Sequence, residues 1–350
     1  MHISSHHLGM LATGALAVLA VASCGSDVNE GSGGSGGTGG GTTSTTSTST
    51  TTTTSTSTST SSTSTTTTTG TTVYPCSLTS SCKAFDKQCV GLVDNGGKSK
   101  FGLRVAQLDL SKPAALAGGI VGTIIAGAVK MFDPGCNLSG GASFSWLLEF
   151  DTTAGKLKTG GAKPVADPTA GYTFVNEQIY GIAVAPAVFD ASPDANGAFS
   201  TPIGKDLIVP IFLDQAATSA LLLPVKQLRF TTGTLSSSQN CIGQYNAEGL
   251  EPGNLCEADA MNKSFITGAS LTGVISLEDA DKLVISSLQE TLCVRLSGNQ
   301  GVPGPAGYKV CQRDANNQIT FQGDACTLGA GCHDAVSLAG SFAASSVAIN

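Results

Sequence analysis

Glu149 and Asp151 are the side chains best placed for general acid–base chemistry. The run Phe144-Ser-Trp-Leu-Leu-Glu-Phe-Asp151 alternates apolar and polar residues, which is typical of a half-buried β-strand. Side chains two residues apart on a strand share a face, so both carboxylates lie opposite the Phe and Trp rings. Paired carboxylates can hydrolyse a glycosidic bond, whereas the simpler interpretation is a solvated strand face.

The segment Leu148-Glu-Phe-Asp151 resembles the Glu-x-Asp core of a family of jelly-roll glycosidases. This resemblance implies an extracellular, carboxylate-dependent hydrolase that acts on glycans. The family carries a further Glu two or three residues later, where this chain has Thr152-Thr-Ala154. We therefore assign no catalytic residue and keep Glu149 and Asp151 as the candidates.

The polar segment Asp190 to Gly197 spaces oxygen ligands as a calcium loop does. Asp190, Ser192, Asp194 and Asn196 would supply the oxygen atoms. Gly197 comes one residue late for such a loop, and no bidentate Glu follows at the expected distance. The segment therefore favours an ordinary polar turn, with calcium as the alternative.

His333 is the single histidine outside the first seven residues. Nucleophile–histidine catalysis needs a base near neutral pH, and His333 lies beside Cys332, where a surface loop is the expected setting. The chain has no Cys-x-x-Cys, so zinc spacing is also missing. The sequence predicts neither a metal site nor a histidine-based active site.

Eleven cysteines divide into one for lipid and ten for disulfides. An even number in an exported chain indicates a disulfide framework. We predict three pairs by their spacing: Cys326–Cys332, Cys241–Cys256, and Cys293–Cys311, which a hairpin around the Gly/Pro loop near Val302 would set opposite each other. The four that remain, Cys76, Cys82, Cys89 and Cys136, allow three connectivities, and the sequence does not choose between them.

Most of the chain after Val73 has the pattern of short strands separated by Gly, Pro or Asp. The predicted strands are Phe101–Leu110, Phe144–Asp151, Lys156–Thr159, Tyr172–Asn176, Gly181–Phe189, Asp206–Leu213, Val225–Thr231, Leu271–Ser276 and Thr291–Leu296. Ser111–Val129 favours a buried helix over a membrane helix, and Ser276-Leu-Glu-Asp279 resembles a capping box that opens a helix to Ile285.

These elements predict a mainly β fold, an antiparallel β-sandwich or jelly-roll-like domain with one or two short helices. A weak repeat relates Leu103-Arg104 to Leu228-Arg229 and the segment from Gly141 to the segment from Gly268. The repeat raises the alternative of two related lobes. Chance matching of small residues explains it nearly as well.

The first residues predict export. An apolar run from Leu8 to Val21 has the length of a signal-peptide core, and it ends in Val21-Ala-Ser-Cys24. This ending resembles the lipobox of bacterial lipoproteins, which implies a lipid on Cys24. Gly25 after the Cys implies sorting to the outer membrane. The alternative is a short membrane helix with Cys24 as a bystander.

A Gly/Ser/Thr-rich segment follows the lipobox and has almost no apolar side chain to bury. We expect a disordered stalk over 24–72 with an end-to-end distance of roughly 35–40 Å. The predicted domains are a signal peptide (1–23), this linker (24–72) and a disulfide-rich β domain (73–350). In this organisation the chain resembles bacterial outer-membrane and surface lipoproteins.

The charge balance bears on which class of partner the chain binds. The net charge is −7 and no basic run occurs, so nucleic acid is not an expected partner. The leading hypothesis is a lipid-anchored cell-surface protein that displays a β-rich binding or structural module to surface glycan or matrix. The alternatives are the glycan hydrolase and a carrier for a hydrophobic ligand. We expect no cofactor besides the lipid, and the membrane is the partner of that lipid.

Overall fold

The computed structural model of the chain describes residues 83–86, 88–118, 122, 129, 143–246, 265–329 and 331–350. The predicted signal peptide, the lipidation residue Cys24 and the linker lie outside these residues. So do Cys76, Cys82, Cys136 and Cys256. All the described residues belong to one folded unit.

Antiparallel β-strands dominate the described residues, so the predicted mainly β fold class is confirmed. The first ten strands are β1 Lys83–Asp86, β2 Cys89–Gly91, β3 Lys100–Lys112, β4 Ser145–Asp151, β5 Lys156–Ala162, β6 Glu177–Ile179, β7 Ile182–Val184, β8 Ala187–Asp190, β9 Ala198–Phe199 and β10 Lys205–Phe212. The others are β11 Ala220–Thr234, β12 Cys241–Ile242, β13 Gln244–Tyr245, β14 Phe265–Ile266, β15 Ala269–Ser276, β16 Val284–Ile285, β17 Glu290–Thr291, β18 Gly301–Pro303, β19 Lys309–Cys311 and β20 Ala335–Val347.

One large sheet organises the fold. Its order is β10-β11-β15-β20-β3-β4-β5-β8, and β12 and β9 pair onto β20 and β11. The sheet curls into a half-barrel, as the right-handed twist of strands favours. Strands β20 and β3 are at its centre, and β10 and β8 are its two ends.

Both faces of the central strands are covered. On β3, Leu103 and Val105 belong to the main hydrophobic cluster, while Ala106 belongs to a second cluster on the other face. On β4, Trp146 packs in the main cluster and Leu147 in the second. The alternation predicted for β4 is confirmed, because Phe144, Trp146, Leu148 and Phe150 are all buried.

Strand β20 was not predicted from the sequence, although it is one of the two central strands. It is rich in Ala, Ser and Gly, which have no strong strand preference. Its small side chains suit a strand that has neighbours on both sides. A Cβ atom at Gly340 would lie 2.8 Å from the Asp109 carbonyl oxygen of β3. The close packing of the sheet centre therefore favours the residues that weaken the sequence signal.

Three short α-helices have bounds within the described residues: α1 Ala114–Ala117, α2 Leu277–Ala280 and α3 Leu292–Leu296. Helix α2 has the predicted cap, because the Ser276 hydroxyl accepts a hydrogen bond from the Asp279 amide (3.3 Å). It ends at Ala280 and not at Ile285. The predicted helix Ser111–Val129 is described only in part: β3 continues to Lys112 and α1 follows.

Three strand predictions need correction. Thr291–Leu296 is helix α3 and not a strand, with the Thr291 hydroxyl accepting from the Val294 amide (3.4 Å). Tyr172–Asn176 forms only isolated bridges. Gly181–Phe189 divides into β7 and β8 around Pro186, which lacks the amide hydrogen that a continuous ladder needs.

Three disulfides lie within the described residues. The predicted pairs Cys293–Cys311 and Cys326–Cys332 are confirmed. The predicted pair Cys241–Cys256 is wrong, because Cys241 is bonded to Cys89. Strand β12 carries Cys241 to β20, and the Leu92 amide after β2 donates to Ser346 of β20. Both cysteines therefore lie next to the central strand, although 152 positions separate them in sequence.

The segments of the weak repeat contribute to one sheet. Leu103-Arg104 lies in β3 and Leu228-Arg229 in β11. Leu271 lies in β15, next to β11. Leu103, Leu228 and Leu271 all pack in the same main cluster. The repeated segments are therefore strands of a shared sheet over a shared core.

Candidate functional site

Both predicted carboxylates of β4 are engaged by neighbouring groups. The Glu149 side chain is 13% exposed, and its Oε1 lies 3.3 Å from the Lys100 ammonium of β3. The Asp151 Oδ1 accepts a hydrogen bond from the Ala154 amide (2.8 Å) and so closes the turn between β4 and β5. Glu149 is thus an ion-pair partner and Asp151 a turn cap.

A small cavity of about 240 Å³ lies beside Glu149. Lys98 and Lys100 line it, and Glu149 is the one carboxylate among its lining residues. Two-carboxylate glycoside hydrolysis requires both acids to flank one bond. Asp151 does not line this cavity, so the described residues do not bring the two predicted acids together around a shared substrate position.

The predicted calcium segment forms a turn. The Asp194 Oδ1 accepts from the amides of Asn196 (2.8 Å) and Ala198 (2.9 Å). Asp190 pairs with the Lys156 ammonium of β5, and a hydrogen bond from Lys156 holds the pKa of Asp190 below its usual value. These carboxylates thus bind amides and an ammonium group, and Ser192 lies in the loop between them.

Two clusters of metal-ligating residue types occur among the described residues. They are Asp281 with Cys293 and Cys311, and Asp334 with Cys326 and Cys332. In each cluster both cysteines are bonded to one another. Disulfide sulfur lacks the thiolate charge that metal binding requires. Each cluster therefore offers only one carboxylate.

His333 is half-buried next to the Cys326–Cys332 disulfide, and its Nδ1 lies 2.9 Å from the Gly323 carbonyl oxygen. It lines a cavity of about 490 Å³ together with Glu278 and Asp334. Glu278 is paired with Arg313 at 2.9 Å, and Asp334 accepts from the Thr327 amide at 2.9 Å. Neither of these two carboxylates is hydrogen-bonded to His333, so neither supplies the orienting acid of a catalytic triad.

An apolar groove of about 550 Å³ lies where the two ends of the curled sheet approach each other. Residues of β7, β8, β10 and β11 form it, together with residues of and just after α2. The apolar lining residues are Ile182, Ala183, Ala185, Pro186, Ala187, Leu207, Ile208, Leu222, Pro224, Val225 and Leu283. The groove is therefore lined mainly by aliphatic side chains and proline rings.

Proline and glycine explain why the sheet ends meet without pairing. Pro210 of β10 packs on Gly161 of β5, where a Cβ atom would lie 2.6 Å from the proline ring. Glycine permits this close approach, and proline cannot donate a ladder hydrogen bond. Strands β10 and β8 are consequently not paired with each other. We call the unpaired boundary between these two sheet ends the seam, and the groove lies along it.

Charged side chains mark one part of the groove. Asp206, Lys226, Asp279 and Lys282 line it in addition to the apolar residues. The Lys226 ammonium lies 3.4 Å from Asp206 Oδ2 and 3.7 Å from Asp279 Oδ2. Lys282 is 3.1 Å from Asp279 Oδ1. An aliphatic groove with a few converging charges is the usual composition of a small-molecule site.

The sequence analysis included a carrier for a hydrophobic ligand among its alternatives, but it did not locate this groove. A signal was present, because Pro210 and Pro224 interrupt apolar strands. Proline within a strand indicates a sheet edge or a bulge. Which edges face each other depends on the curl of the sheet, and no local pattern reports that.

Arg104 is a buried cation on the second face of the sheet and is fully shielded from solvent. Its Nε donates to Ser145 Oγ (3.1 Å) and its Nη2 to the Phe144 carbonyl (3.0 Å). The guanidinium carbon lies 5.7 Å from the centre of the Tyr172 ring. Burial lowers the pKa of Arg104. Its bonds join β3 to β4, so we assign Arg104 to the core.

Among the described residues, no helix has the length and apolar character needed to cross a bilayer. Comparisons with protein-family models, with curated proteins and with solved structures give no match for this chain. The geometry of the groove is therefore the main basis for a functional assignment.

Proposed function

We propose that this chain is an exported, lipid-anchored surface protein whose β domain binds a hydrophobic ligand in the seam groove. The groove itself is the observation that carries the proposal. Its volume of about 550 Å³ lies within the roughly 300–1,000 Å³ range of small-molecule sites. Among the hypotheses from the sequence, this volume favours a binding module of the carrier type.

The apolar lining supports a hydrophobic ligand. Leu222 is buried in a hydrophobic cluster at the groove, and Ile182, Ile208 and Leu283 pack against that cluster while staying only partly buried. Covering apolar surface contributes roughly 25 cal/mol per Å². A ligand that covers this lining therefore gains affinity without strong polar contacts.

The hydrolase hypothesis has weaker support. It needs two carboxylates on opposite sides of one bond. Glu149 is paired with Lys100, and Asp151 caps a turn outside the small cavity that Glu149 lines. A ligand-binding role uses a groove with a mainly apolar lining, while hydrolysis would have to displace existing contacts.

Export and anchoring rest on the N-terminal pattern and on the disulfides. The lipobox ending at Cys24 and the Thr/Ser-rich linker support a lipid anchor with a spacer. Three disulfides in the described domain fit an oxidising compartment outside the cytosol. The lipid on Cys24 would hold the protein on the outer membrane, and the linker would separate the groove from that surface.

Filling the groove tests the binding proposal. Ala183 is an exposed lining residue of β7, so Ala183→Trp adds bulk at the groove without replacing a core side chain. The full-length protein in amphipol is titrated with a naphthylamine probe whose fluorescence rises in apolar surroundings. We expect saturable binding, weakened at least about tenfold by Ala183→Trp, since each factor of ten corresponds to about 1.4 kcal/mol.

The matched control is Ala154→Trp, which places the same side chain in the exposed turn after β4. This variant should bind the probe like the wild type. Equal loss in both variants, or no saturable binding to the wild type, would contradict the assignment of the groove.

Mass spectrometry of the mature N-terminus tests the anchor. We expect a chain that begins at Cys24 with acyl groups attached, and accumulation of the precursor when Cys24 is changed to Ala. A mature protein that retains Met1 and an unmodified Cys24 would refute the anchoring part of the proposal and leave the groove assignment standing.

A further inference from the structure

The charged residues of the groove alternate in sign, which distinguishes them from an ordinary ion pair. Asp206 and Lys226 lie on β10 and β11, and Asp279 and Lys282 lie in and just after α2. These four residues form a charged row, which holds two carboxylates and two ammonium groups at the border of an aliphatic surface. Its formal charge is balanced, so it favours neither a simple anion nor a simple cation.

Lys226 forms no short ion pair with either of its two carboxylate neighbours, Asp206 and Asp279. Its ammonium is 3.4 Å from Asp206 and 3.7 Å from Asp279, whereas a charge-assisted hydrogen bond is roughly 2.7–2.9 Å long. Elsewhere on the surface the Lys163 ammonium approaches Glu177 to 2.6 Å. The Lys226 side chain remains 34% exposed. It can therefore accept a ligand anion without first breaking a short ion pair.

The carboxylate of Asp206 is similarly available. Its Oδ1 accepts from the Gln227 amide (3.1 Å), which fixes the orientation of the group. Its side chain is 63% exposed, and its Oδ2 faces Lys226 at the longer distance. A ligand ammonium can approach this oxygen from solvent.

We infer that the groove binds a single-chain amphiphile with a zwitterionic head, of the lysophospholipid type with a primary ammonium. The inference rests on the proposed function, because it assumes that the groove holds a hydrophobic ligand. The ligand phosphate faces the Lys226 ammonium, the ligand ammonium faces Asp206, and the chain covers the aliphatic lining beside them.

Charge complementarity sets the specificity. An anionic head would meet both lysines but would also face two carboxylates, and like charges at short range repel. An uncharged head would leave all four charges without a ligand partner. A zwitterion meets both signs, so its advantage is selectivity between head groups. At about 550 Å³, a volume typical of one drug-sized ligand, the groove suits one chain.

Photo-cross-linking with three probes of equal chain length tests this inference. The probes are a diazirine-labelled lysophosphatidylethanolamine, the corresponding lysophosphatidic acid and the corresponding alcohol. Each is added below its micelle concentration to the full-length protein in amphipol, and labelled peptides are quantified by mass spectrometry. We expect labelling in β10 and β11, with half-saturation by the zwitterionic probe at least about tenfold lower than by the other two.

Substitutions in the charged row test whether it causes the preference for a zwitterionic head group. Lys226→Gln and, at a more exposed position, Lys282→Gln should reduce the preference for the zwitterion over the alcohol at least about fivefold. Lys98→Gln, an exposed lysine outside the groove, is the matched control and should retain the wild-type preference.

The outcomes separate the two proposals. Saturable labelling in the groove with equal half-saturation for all three probes would overturn the head-group inference and leave the proposed function intact. A preference that survives both lysine variants would also overturn the inference. Absence of saturable labelling with every probe would remove the proposed function together with it.

Discussion

The centre of the sheet and its seam, where β8 and β10 end the sheet, differ in how their strands are paired and how far their apolar side chains are buried. At the centre, β3 and β20 have a hydrogen-bonded neighbour on each side and a hydrophobic cluster on each face. At the seam, β8 and β10 end the sheet, and Pro210 of β10 packs on Gly161 of β5. Most apolar side chains of the central strands are buried, while the seam leaves an aliphatic groove partly open.

This difference indicates how stability and binding are divided. Small residues on β20 allow close strand packing, and Phe342 fills the core beneath them. At the seam, Pro210 stops further pairing, so residues such as Ile208 stay half-buried at the groove. Changes at the centre should therefore act on the free energy of unfolding, and changes at the seam should act mainly on binding.

Removal of single disulfides should give the largest difference in the free energy of unfolding. Cys89–Cys241 spans 152 positions and ties β2 to β12 beside the centre, whereas Cys326–Cys332 spans 6. Chain-entropy arguments give a loss of about 5 kcal/mol for the first and about 2 kcal/mol for the second. Paired Cys→Ser variants, unfolded in denaturant, would measure both, and a larger loss for the short loop would contradict the comparison.

Side-chain truncation should show the same order on a smaller scale. Phe342 is fully buried with its ring 5.7 Å from that of Phe230, so Phe342→Ala should cost about 3–5 kcal/mol. Ile208→Ala at the groove should cost about 1 kcal/mol, because its side chain is only partly buried.

Intrinsic fluorescence can measure both truncations. Trp146 is the only tryptophan, is buried in the main cluster and donates to Thr159 Oγ1 (2.8 Å), so its emission reports unfolding of the core. Probe binding should weaken with Ile208→Ala. Equal stability losses in the two variants would refute the proposed division.

The seam contact can be broken directly. Gly161→Val places side-chain carbons against the Pro210 ring, where a Cβ atom already comes within 2.6 Å. We expect a loss of about 1–3 kcal/mol and a change in groove binding. The double variant Gly161→Val/Pro210→Ala should recover part of the stability, and its failure to do so would show that Gly161 does not act through Pro210.

The smallest effect concerns pH at the β10–β11 turn. Hydrogen bonds from the Thr218 amide, and from the Ser219 and Thr218 hydroxyls and the Ser219 amide, hold the pKa of Asp214 well below its usual value. A depressed pKa contributes stability that is present above the unfolded-state value near 3.8 and is lost as the pH falls toward the folded-state value.

Denaturant unfolding between pH 5 and about pH 2 would measure this contribution. Asp214→Asn should flatten the acid limb of the stability curve, and Thr218→Val should flatten it partly. An unchanged acid limb in Asp214→Asn would show that the turn does not couple folding to protonation.

Predictions from the sequence were correct where residues close to one another in the chain decide the structure. The β4 face, the Ser276 cap and the two disulfides of short separation were predicted correctly, because neighbours in sequence decide them. The prediction for Cys293–Cys311 reached the correct pair through a wrong local geometry. It assumed a hairpin that sets the two cysteines opposite each other, whereas Cys293 is in helix α3 and Cys311 is in strand β19.

The failures involved long-range pairing. Strand β20 has weak strand preference and is held by its neighbours β15 and β3. Cys241 has a partner far away in sequence because β12 adds to β20. Arg104 occupies a strand position where a charged residue is usually exposed, yet the second cluster covers it.

The amino-acid pattern by itself determined the β class of the domain, the alternation of β4 and the cap of α2, because each depends on residues within a few positions. Only the tertiary structure decided that β20 is central, that Cys89 joins Cys241 and that the two sheet ends meet at an aliphatic groove. Those features arise from the accumulated twist of the strands and from the packing of Pro210 on Gly161, which join residues far apart in the chain.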